Sequence, residues 1–462
     1  MTSADDQTGS VPVHLVYEED LERWISAQSA RAQRWIEAHA FKAERNKLLV
    51  LPGPEGAPEA AALGMGRREG NGSLDCWCAA GLPGRLPGGR YHLAAGPSQH
   101  DALTFAFGWA YGQYKFERYR RGAAQRAAEL LTPPGVDPAE VERLRAATAL
   151  ARDLINTPAN DMTPEALTQA ALDVARAAGA AQRVVLGEEL LKEGFPAIHA
   201  VGRAAAIAPR LVDLRWGEEG RPTVTLVGKG VCFDSGGLDV KPAASMLLMK
   251  KDMGGAAIAL GAARLIMDAQ LPVRLRVILP IVENAIGANA FRPGDVLATR
   301  KGLRVEVGNT DAEGRLILCD ALALADEEAP ELLIDAATLT GAARVALGPE
   351  LPALFSTDDA AADELLSIGF ERSDPMWRLP LWAGYEEELS SKVADLNNVS
   401  SSGFAGAVFG ALFLRRFVAQ ARVWMHLDVY GWNGKERPGR PVGAEPQCVR
   451  ALYEFVRRRC AR

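Results

Sequence analysis

The chain has 462 residues, 48% of them apolar and 24% charged, proportions that exclude a disordered, collagen-like or coiled-coil protein. That length predicts two or three domains. With 52 Lys and Arg against 58 Asp and Glu, the net charge of −6 gives no general electrostatic footprint for nucleic acid or an anionic membrane surface, and neither is an expected partner.

The first ten residues, MTSADDQTGS, hold neither a basic segment nor an apolar one, so no secretory signal is read and a cytoplasmic location is expected. From residue 11 to 130, apolar runs such as VPVHLVY and NKLLVLP mix with helical stretches near 20–40 and 100–130, the pattern of a small α/β domain. Within it, WAYGQYKFERYRR (109–121) interleaves aromatic and basic residues. It fits a base-stacking surface or, the preferred reading, an amphipathic helix with aromatics inward and cations in its last turn. The stretch LTPPGVDP (131–138) forbids a continuous helix and sets a boundary between an N-terminal domain, residues 1–135, and a larger domain, residues 136–462. Asp137, Pro138 and Glu140 start a linking helix over about 138–156, and a second helix runs from Thr163 and Pro164 to Gly179.

Downstream, apolar runs rich in β-branched residues at 223–228, 276–282, 303–308, 331–339 and 422–429 read as buried strands. They alternate with helical patterns such as Met253–Asp268 and Arg315–Glu328. The alternation predicts an α/β fold whose larger C-terminal domain carries a mostly parallel sheet covered by helices on both faces. Phe404–Leu414 reads as a buried segment too short to span a bilayer. Cys76, Cys78, Cys232, Cys319, Cys448 and Cys460 are too scattered for a disulfide framework or a zinc ribbon, and reduced thiols are expected.

Ligands of open α/β sheets bind beyond the carboxyl ends of the strands. There KGVCFDSGG (229–237), Lys241, KKDMGG (250–255) and NTDAEGR (309–315) deliver Asp234, Asp252, Asp311 and Glu313 together with Lys229, Lys241 and Arg315. Four carboxylates in one cleft repel one another unless cations neutralise them. A salt-bridged pair of loops meets that need, and so does a pair of divalent ions held by oxygen ligands; spacing alone does not choose between them. Asp311 and Glu313 face the same side if their segment is extended. Past the linker only His199 and His426 are present, without an HExxH pattern, and both are expected in structural hydrogen bonds. The GKG at 228–230 matches neither a dinucleotide turn nor a phosphate loop, and no GxSxG elbow exists.

In their order and spacing, VGKGVCFDSGGLDVK, MKKDMGGAA, VGNTDAEGRLIL and DAATLTGA resemble the leucine aminopeptidase family of two-zinc metallopeptidases, the shorter bacterial-type members above all. The resemblance covers about 136–462 and fits the smaller domain more loosely. It implies two divalent ions, zinc or manganese: one held by Lys229, Asp234, Asp252 and Glu313, the other by Asp234, Asp311 and Glu313. It further implies a neutral Lys229 amine, a bridging water as nucleophile, Lys241 on the scissile carbonyl, and Arg315 holding a bicarbonate ion as general base. Thr338, Leu339 and Gly341 match substrate-site positions. Met249 and Val399 fall at pocket-wall positions and suit plain core packing equally. Tyr430 stands where many longer members have a small residue, which implies a narrower or re-shaped pocket and argues against assuming leucine as the substrate's first residue. The activity implied is metal-dependent release of N-terminal residues from short peptides, by a homohexamer. Rival readings are a dipeptidase-like specialist of the same family, a DNA-binding second role that the acidic charge opposes, and an inert assembly that the full ligand set opposes.

Overall fold

The computed structural model describes residues 8–68, 74–120, 122 and 127–460. Residues 1–7, in which the leader was sought, and Arg121 of the aromatic run lie outside the described residues. The chain forms two compact units, one of the described residues up to Ala149 with Gly434–Val442, the other of Leu150–Asn433 with the described residues from Gly443 onward.

The first unit has strands β1 (Val11–Tyr17), β2 (Leu48–Pro52), β3 (Pro58–Gly66), β4 (Gly89–Leu93) and β5 (Ala128–Leu130), and helices α1 (Leu21–Ser26), α2 (Ala30–Ala38), α3 (Cys76–Ala80) and α4 (Gln99–Gly112). They build one sheet of order β2-β3-β1-β4-β5, parallel except for β2. Val13, Leu63, Tyr91, Phe105 and Trp109 are central to its core. The aromatic run departs from expectation. Its helix ends at Gly112, where a Cβ would stand 1.9 Å from the Ala80 carbonyl oxygen. Nearly every side of α4 is buried, so it is not amphipathic, and Lys115, Arg118 and Arg120 lie beyond it in exposed coil.

The 19-residue helix α5 (Pro138–Asn156) precedes the second unit's α6 (Pro164–Ala177), whose Thr163 cap accepts from the Ala166 N–H. There follow β6 (Ala181–Leu186), α7 (Glu189–Lys192), α8 (Pro196–Gly202), β7 (Arg210–Trp216), β8 (Thr223–Gly228), β9 (Gly230–Asp234), α9 (Ala243–Met246), α10 (Gly254–Asp268) and β10 (Arg274–Asn284). Beyond them lie β11 (Val296–Ala298), β12 (Arg304–Glu306), α11 (Glu313–Asp326), β13 (Leu332–Ala337), α12 (Gly341–Leu347), β14 (Ala353–Ser356) and α13 (Asp359–Glu371). Toward the C-terminus lie β15 (Trp377–Arg378), β16 (Leu396–Asn397), α14 (Gly406–Arg415), β17 (Val423–Asp428) and α15 (Val449–Cys460). The main sheet runs β15-β14-β17-β13-β8-β10-β7-β6, with β9 paired to β10 beyond the end of β8. Its centre, β17-β13-β8-β10, is parallel, and antiparallel pairings flank it. All six residues of β13 are buried, as a strand covered on both faces requires.

Residues 303–308 do not join this sheet. They supply β12 to a separate small sheet with β11 and β16, because Val305 and Val307 turn inward while Arg304 is exposed, the alternation of a strand buried on one face only. Helix α11 starts at Glu313 rather than Arg315. In the segment expected to be buried, α14 is buried, but Phe404 ahead of it is 84% exposed.

Candidate metal centre and substrate cleft

Three parallel strands of the main sheet end beside one another and carry the polar residues of the site. Lys229 follows β8, Thr338 to Thr340 follow β13, and Asp428 closes β17. Strand β8 ends where α10 comes close: a Cβ on Gly255 would lie 2.0 Å from the Ala336 carbonyl oxygen, so only glycine allows this approach. The Lys229 side chain then lies over Gly314 at the start of α11, where a Cβ would meet its Cε at 2.6 Å. Asp252 enters from the single turn Met249–Met253 that precedes α10, and Glu313 from the first turn of α11. Both carboxylates thus sit at helix N-termini, where the backbone dipoles favour negative charge.

Asp234, Asp252 and Glu313 each place an oxygen within 4.8 Å of the others, and all three are buried. Lys229 Nζ lies 2.9 Å from Asp252 Oδ2, 2.9 Å from Glu313 Oε1 and 3.0 Å from the Thr338 carbonyl oxygen, to which it donates. Lys241 Nζ spans Asp234 Oδ2 at 2.8 Å and Asp311 Oδ1 at 2.5 Å. Asp311 and Glu313 therefore meet different lysines, because Glu313 is already helical rather than part of an extended segment. Asp234 is oriented by N–H donors from Gly236 and Asn284, each 2.9 Å from Oδ1, and Asp252 by the Thr338 hydroxyl, which donates to Oδ1 at 2.7 Å. Such outer partners fix the direction in which a ligand carboxylate presents its free oxygen.

The two lysines do not balance the four carboxylates. Of the buried carboxylate oxygens, Asp252 Oδ2, Asp311 Oδ1 and Glu313 Oε1 have only a shared lysine ammonium at 2.5–2.9 Å, and Glu313 Oε2 has no donor. Burial and the neighbouring Asp252 push Asp234 up to about 6, and burial together with Asp234 raises Glu313 well above the ordinary carboxylate range. Burial also works against Asp252, but Lys229 and Lys251 outweigh it and hold that group low. For Lys229, burial is outweighed by Asp252, Glu313 and Asp234, which keep it an ammonium in this carboxylate cage. Clustered buried carboxylates that two ammonium groups do not neutralise are an oxygen-ligand set that fits hard or borderline divalent cations.

A cleft of about 370 Å³ opens over the cluster, lined by Lys229, Asp234, Lys241, Met249, Asp252, Asp311, Thr338, Leu339, Gly341 and Tyr430 among the residues picked from sequence. Glu313 lies buried behind it. Arg315 is also buried, which lowers it to about 10; it donates to the Asn398 carbonyl oxygen at 2.7 Å and leaves Nε without a partner. Val399 lies away from this lining, against Gly308, and its N–H donates to Asn397 Oδ1. His199 pairs with Glu188, and His426 donates or accepts through Nδ1 at 2.5 Å from Asp335, both outside the cluster. Sequence reasoning missed Asn284, Thr340, Lys251, Arg344 and Asp428. Asp428 accepts from the N–H groups of Leu339 and Thr340 and from the Thr340 hydroxyl, which pins the turn on the cleft floor. Its place at the carboxyl end of a central strand was the available signal.

Residues 149–453 match the model of the cytosol aminopeptidase family catalytic domain, and residues 11–133 match the N-terminal domain of the M17 aminopeptidases. A probable cytosol aminopeptidase of Nitratidesulfovibrio vulgaris is 37% identical over 97% of this chain and 96% of its own. Among solved structures, the cytosol aminopeptidase from Coxiella burnetii is 44% identical with a TM-score of 0.93, covering 98% of both chains. The bottromycin maturation enzyme BotP in complex with Mn is 33% identical with a TM-score of 0.85, covering 98% of this chain and all of that one. Among the described residues, no helix is long and apolar enough to cross a membrane.

Proposed function

Because the chain belongs to the cytosol aminopeptidase family and is a metal-dependent aminopeptidase acting on peptides, we propose that it removes N-terminal residues from short peptides at a two-metal centre. Lys229, as a neutral amine once its proton is displaced, would hold one divalent ion, zinc or manganese, together with Asp234, Asp252 and Glu313, and Asp234, Asp311 and Glu313 would hold the other. When bound, the ions supply Lewis-acid polarisation and a water of lowered pKa. The observation that carries the reading is the convergence of buried Asp234, Asp252 and Glu313 oxygens within 4.8 Å of one another, with two ammonium groups shared among four carboxylates and Glu313 Oε2 left without a donor. Left to lysines alone, such a cluster would be a standing electrostatic burden with no return.

The remaining groups take roles their surroundings support. Lys241 is only partly buried and faces the cleft from the Asp234–Asp311 side, so its ammonium can donate to an oxyanion developing on the scissile carbonyl. Arg315 would hold bicarbonate, which supplies the general base, and its buried, partnerless Nε is a donor suited to such an anion. Thr338, Leu339 and Gly341 present the turn after β13 to the peptide, with Met249, Tyr430 and, more remotely, Val399 around the first side chain. We read residues 1–135 and 136–462 as an N-terminal and a catalytic domain. A cytoplasmic homohexamer completes the reading, and exposed apolar side chains such as Leu247, Val345 and Phe404 are consistent with further association. The test is chelation followed by titration with manganese or zinc while turnover of a Leu-arylamide is followed. Recovery should require two equivalents per chain and respond to bicarbonate in the parent but not in Arg315→Ala. Full recovery at one equivalent contradicts the two-metal assignment.

A further inference from the structure

The cations of the cleft stand in two different settings. Four cations line it, and Lys229 and Lys241 are committed to the carboxylate cluster. The other two, Lys251 and Arg344, are not. Among the described residues neither side chain has a hydrogen-bond partner or a carboxylate within ion-pair distance. Both instead face the Tyr430 ring, Lys251 Nζ 4.7 Å and the Arg344 guanidinium carbon 5.0 Å from its centroid. Lys251 is 5% exposed. This buried ammonium has exchanged water for a ring face and the more distant charges of Asp252 and Asp428, a weak substitute that leaves it able to take an anionic ligand. Its neighbour Lys250 shows the ordinary solution: it reaches the Asn156 carbonyl oxygen at 2.6 Å.

We propose that Lys251 and Arg344, backed by Tyr430, bind a carboxylate of the peptide substrate: the side chain of an N-terminal Asp or Glu, or the terminal carboxylate of a very short peptide. This rests on the aminopeptidase reading above. In that reading the acidic end of the cleft, once neutralised by metal, takes the substrate's amino group and scissile carbonyl. A carboxylate a few bonds away then meets the only uncommitted cations in the lining. The two together pair with one planar anion as a fork and a point charge do, and an apolar leucine side chain at the same place would leave Lys251 desolvated and unpaired. The narrowing expected from Tyr430 thus becomes a charged end wall rather than a smaller apolar pocket.

Two pairs of substrates separate the sources, each differing only in charge. Glu- is compared with Gln-amidomethylcoumarin, and Leu-Leu with Leu-Leu-amide, for the metal-loaded parent, Lys251→Met and Arg344→Gln. One pair should show a kcat/KM preference for the charged member of about tenfold or more, the scale of a charge-assisted hydrogen bond. Lys251→Met should reduce that ratio to below about threefold, and the exposed Arg344→Gln, whose fold is not at risk, should reduce it partially. A merely structural role for Lys251 would lower every substrate alike and leave the ratio unmoved, and that result overturns the inference. So does ready turnover of Leu-amidomethylcoumarin with neither pair discriminated. Failure to turn over any substrate with any metal overturns the site assignment itself, and the inference with it.

Discussion

Replacing Glu313 by glutamine separates the metal reading from a purely structural one, because the two predict opposite effects on stability. The side chain is 1% exposed, its Oε1 has only the shared Lys229 Nζ at 2.9 Å, and its Oε2 has no donor. Burial and Asp234 already disfavour its charge. The amide keeps the shape, removes one negative charge from the cluster, and leaves Lys229 its contacts with Asp252 and Thr338. Relief of a buried, unsatisfied charge is worth roughly 1–3 kcal/mol. The second unit has about 300 residues, and at ~2.1 cal/mol/K of unfolding entropy per residue its Tm moves about 1.6 °C per kcal/mol. Chelated Glu313→Gln should therefore melt at, or about 2–5 °C above, the chelated parent. Metal reverses the order. An ion at ~1,000 times its Kd stabilises the native state by ~4 kcal/mol, or about 6 °C here. The parent should gain this for each ion and the variant little of it, with turnover lost. Scanning calorimetry with and without manganese reads both quantities. An undiminished metal-induced rise in the variant, or a chelated variant melting several degrees below the parent, refutes the reasoning.

Three further outcomes are expected. Gly314→Ala places a methyl group within 2.9 Å of Lys229 Cε, Nζ and Cδ; helix propensity improves by about 1 kcal/mol, so circular dichroism should show an intact fold while kcat falls about a hundredfold through displacement of Lys229. Lys241→Met should lower kcat more than it raises KM in steady-state assays, and an unchanged kcat would remove Lys241 from the oxyanion role. Glu454 on α15 is penalised by burial, but hydrogen bonds from Arg457 and Arg458 and the charge of Arg372 outweigh this and hold it down to about 2. Because its native pKa lies below its unfolded one, its contribution is present above pH ~4.5 and is lost as pH falls toward 2. With Arg457 and Arg458 partly exposed, that contribution is about 2 kcal/mol. In chelator, urea unfolding at pH 7 and at pH 3 should show a smaller acid loss for Glu454→Gln than for the parent.

The parts of the fold legible in the sequence were those whose physics is local. TVTLVG and ELLIDAATL are mainly apolar runs with few polar residues, the pattern of a strand buried on both faces. LRVEVG looked like one more of them, yet Arg304 and Glu306 alternate with Val305 and Val307, the pattern of a one-faced strand, and it sits in the small sheet. The end of α4 at Gly112 was not readable, because the contact that demands glycine comes from Ala80, thirty-odd residues away in the chain. Within the site, Asp234, Asp252, Asp311 and Glu313 announced themselves as acids at strand-to-helix junctions. Lys251 did not, since in sequence it is indistinguishable from Lys250, and only tertiary packing sends one to a backbone carbonyl and buries the other against Tyr430.

That contrast bears on why the cleft is built as it is. Three of the five groups that would bind metal are fixed from behind: Asp234 by Asn284 and Gly236, Asp252 by Thr338, Lys229 by the close approach of Gly314. Such fixing prevents the carboxylates from swinging toward solvent to relieve their mutual repulsion, so the strain stays in the ligand-free protein and is released on binding. The same logic applies at the other end of the cleft, where packing keeps the Lys251 ammonium from water. A centre preorganised at both ends gains affinity for a ligand that carries the complementary charges at the matching separation, and gains nothing from one that satisfies a single end.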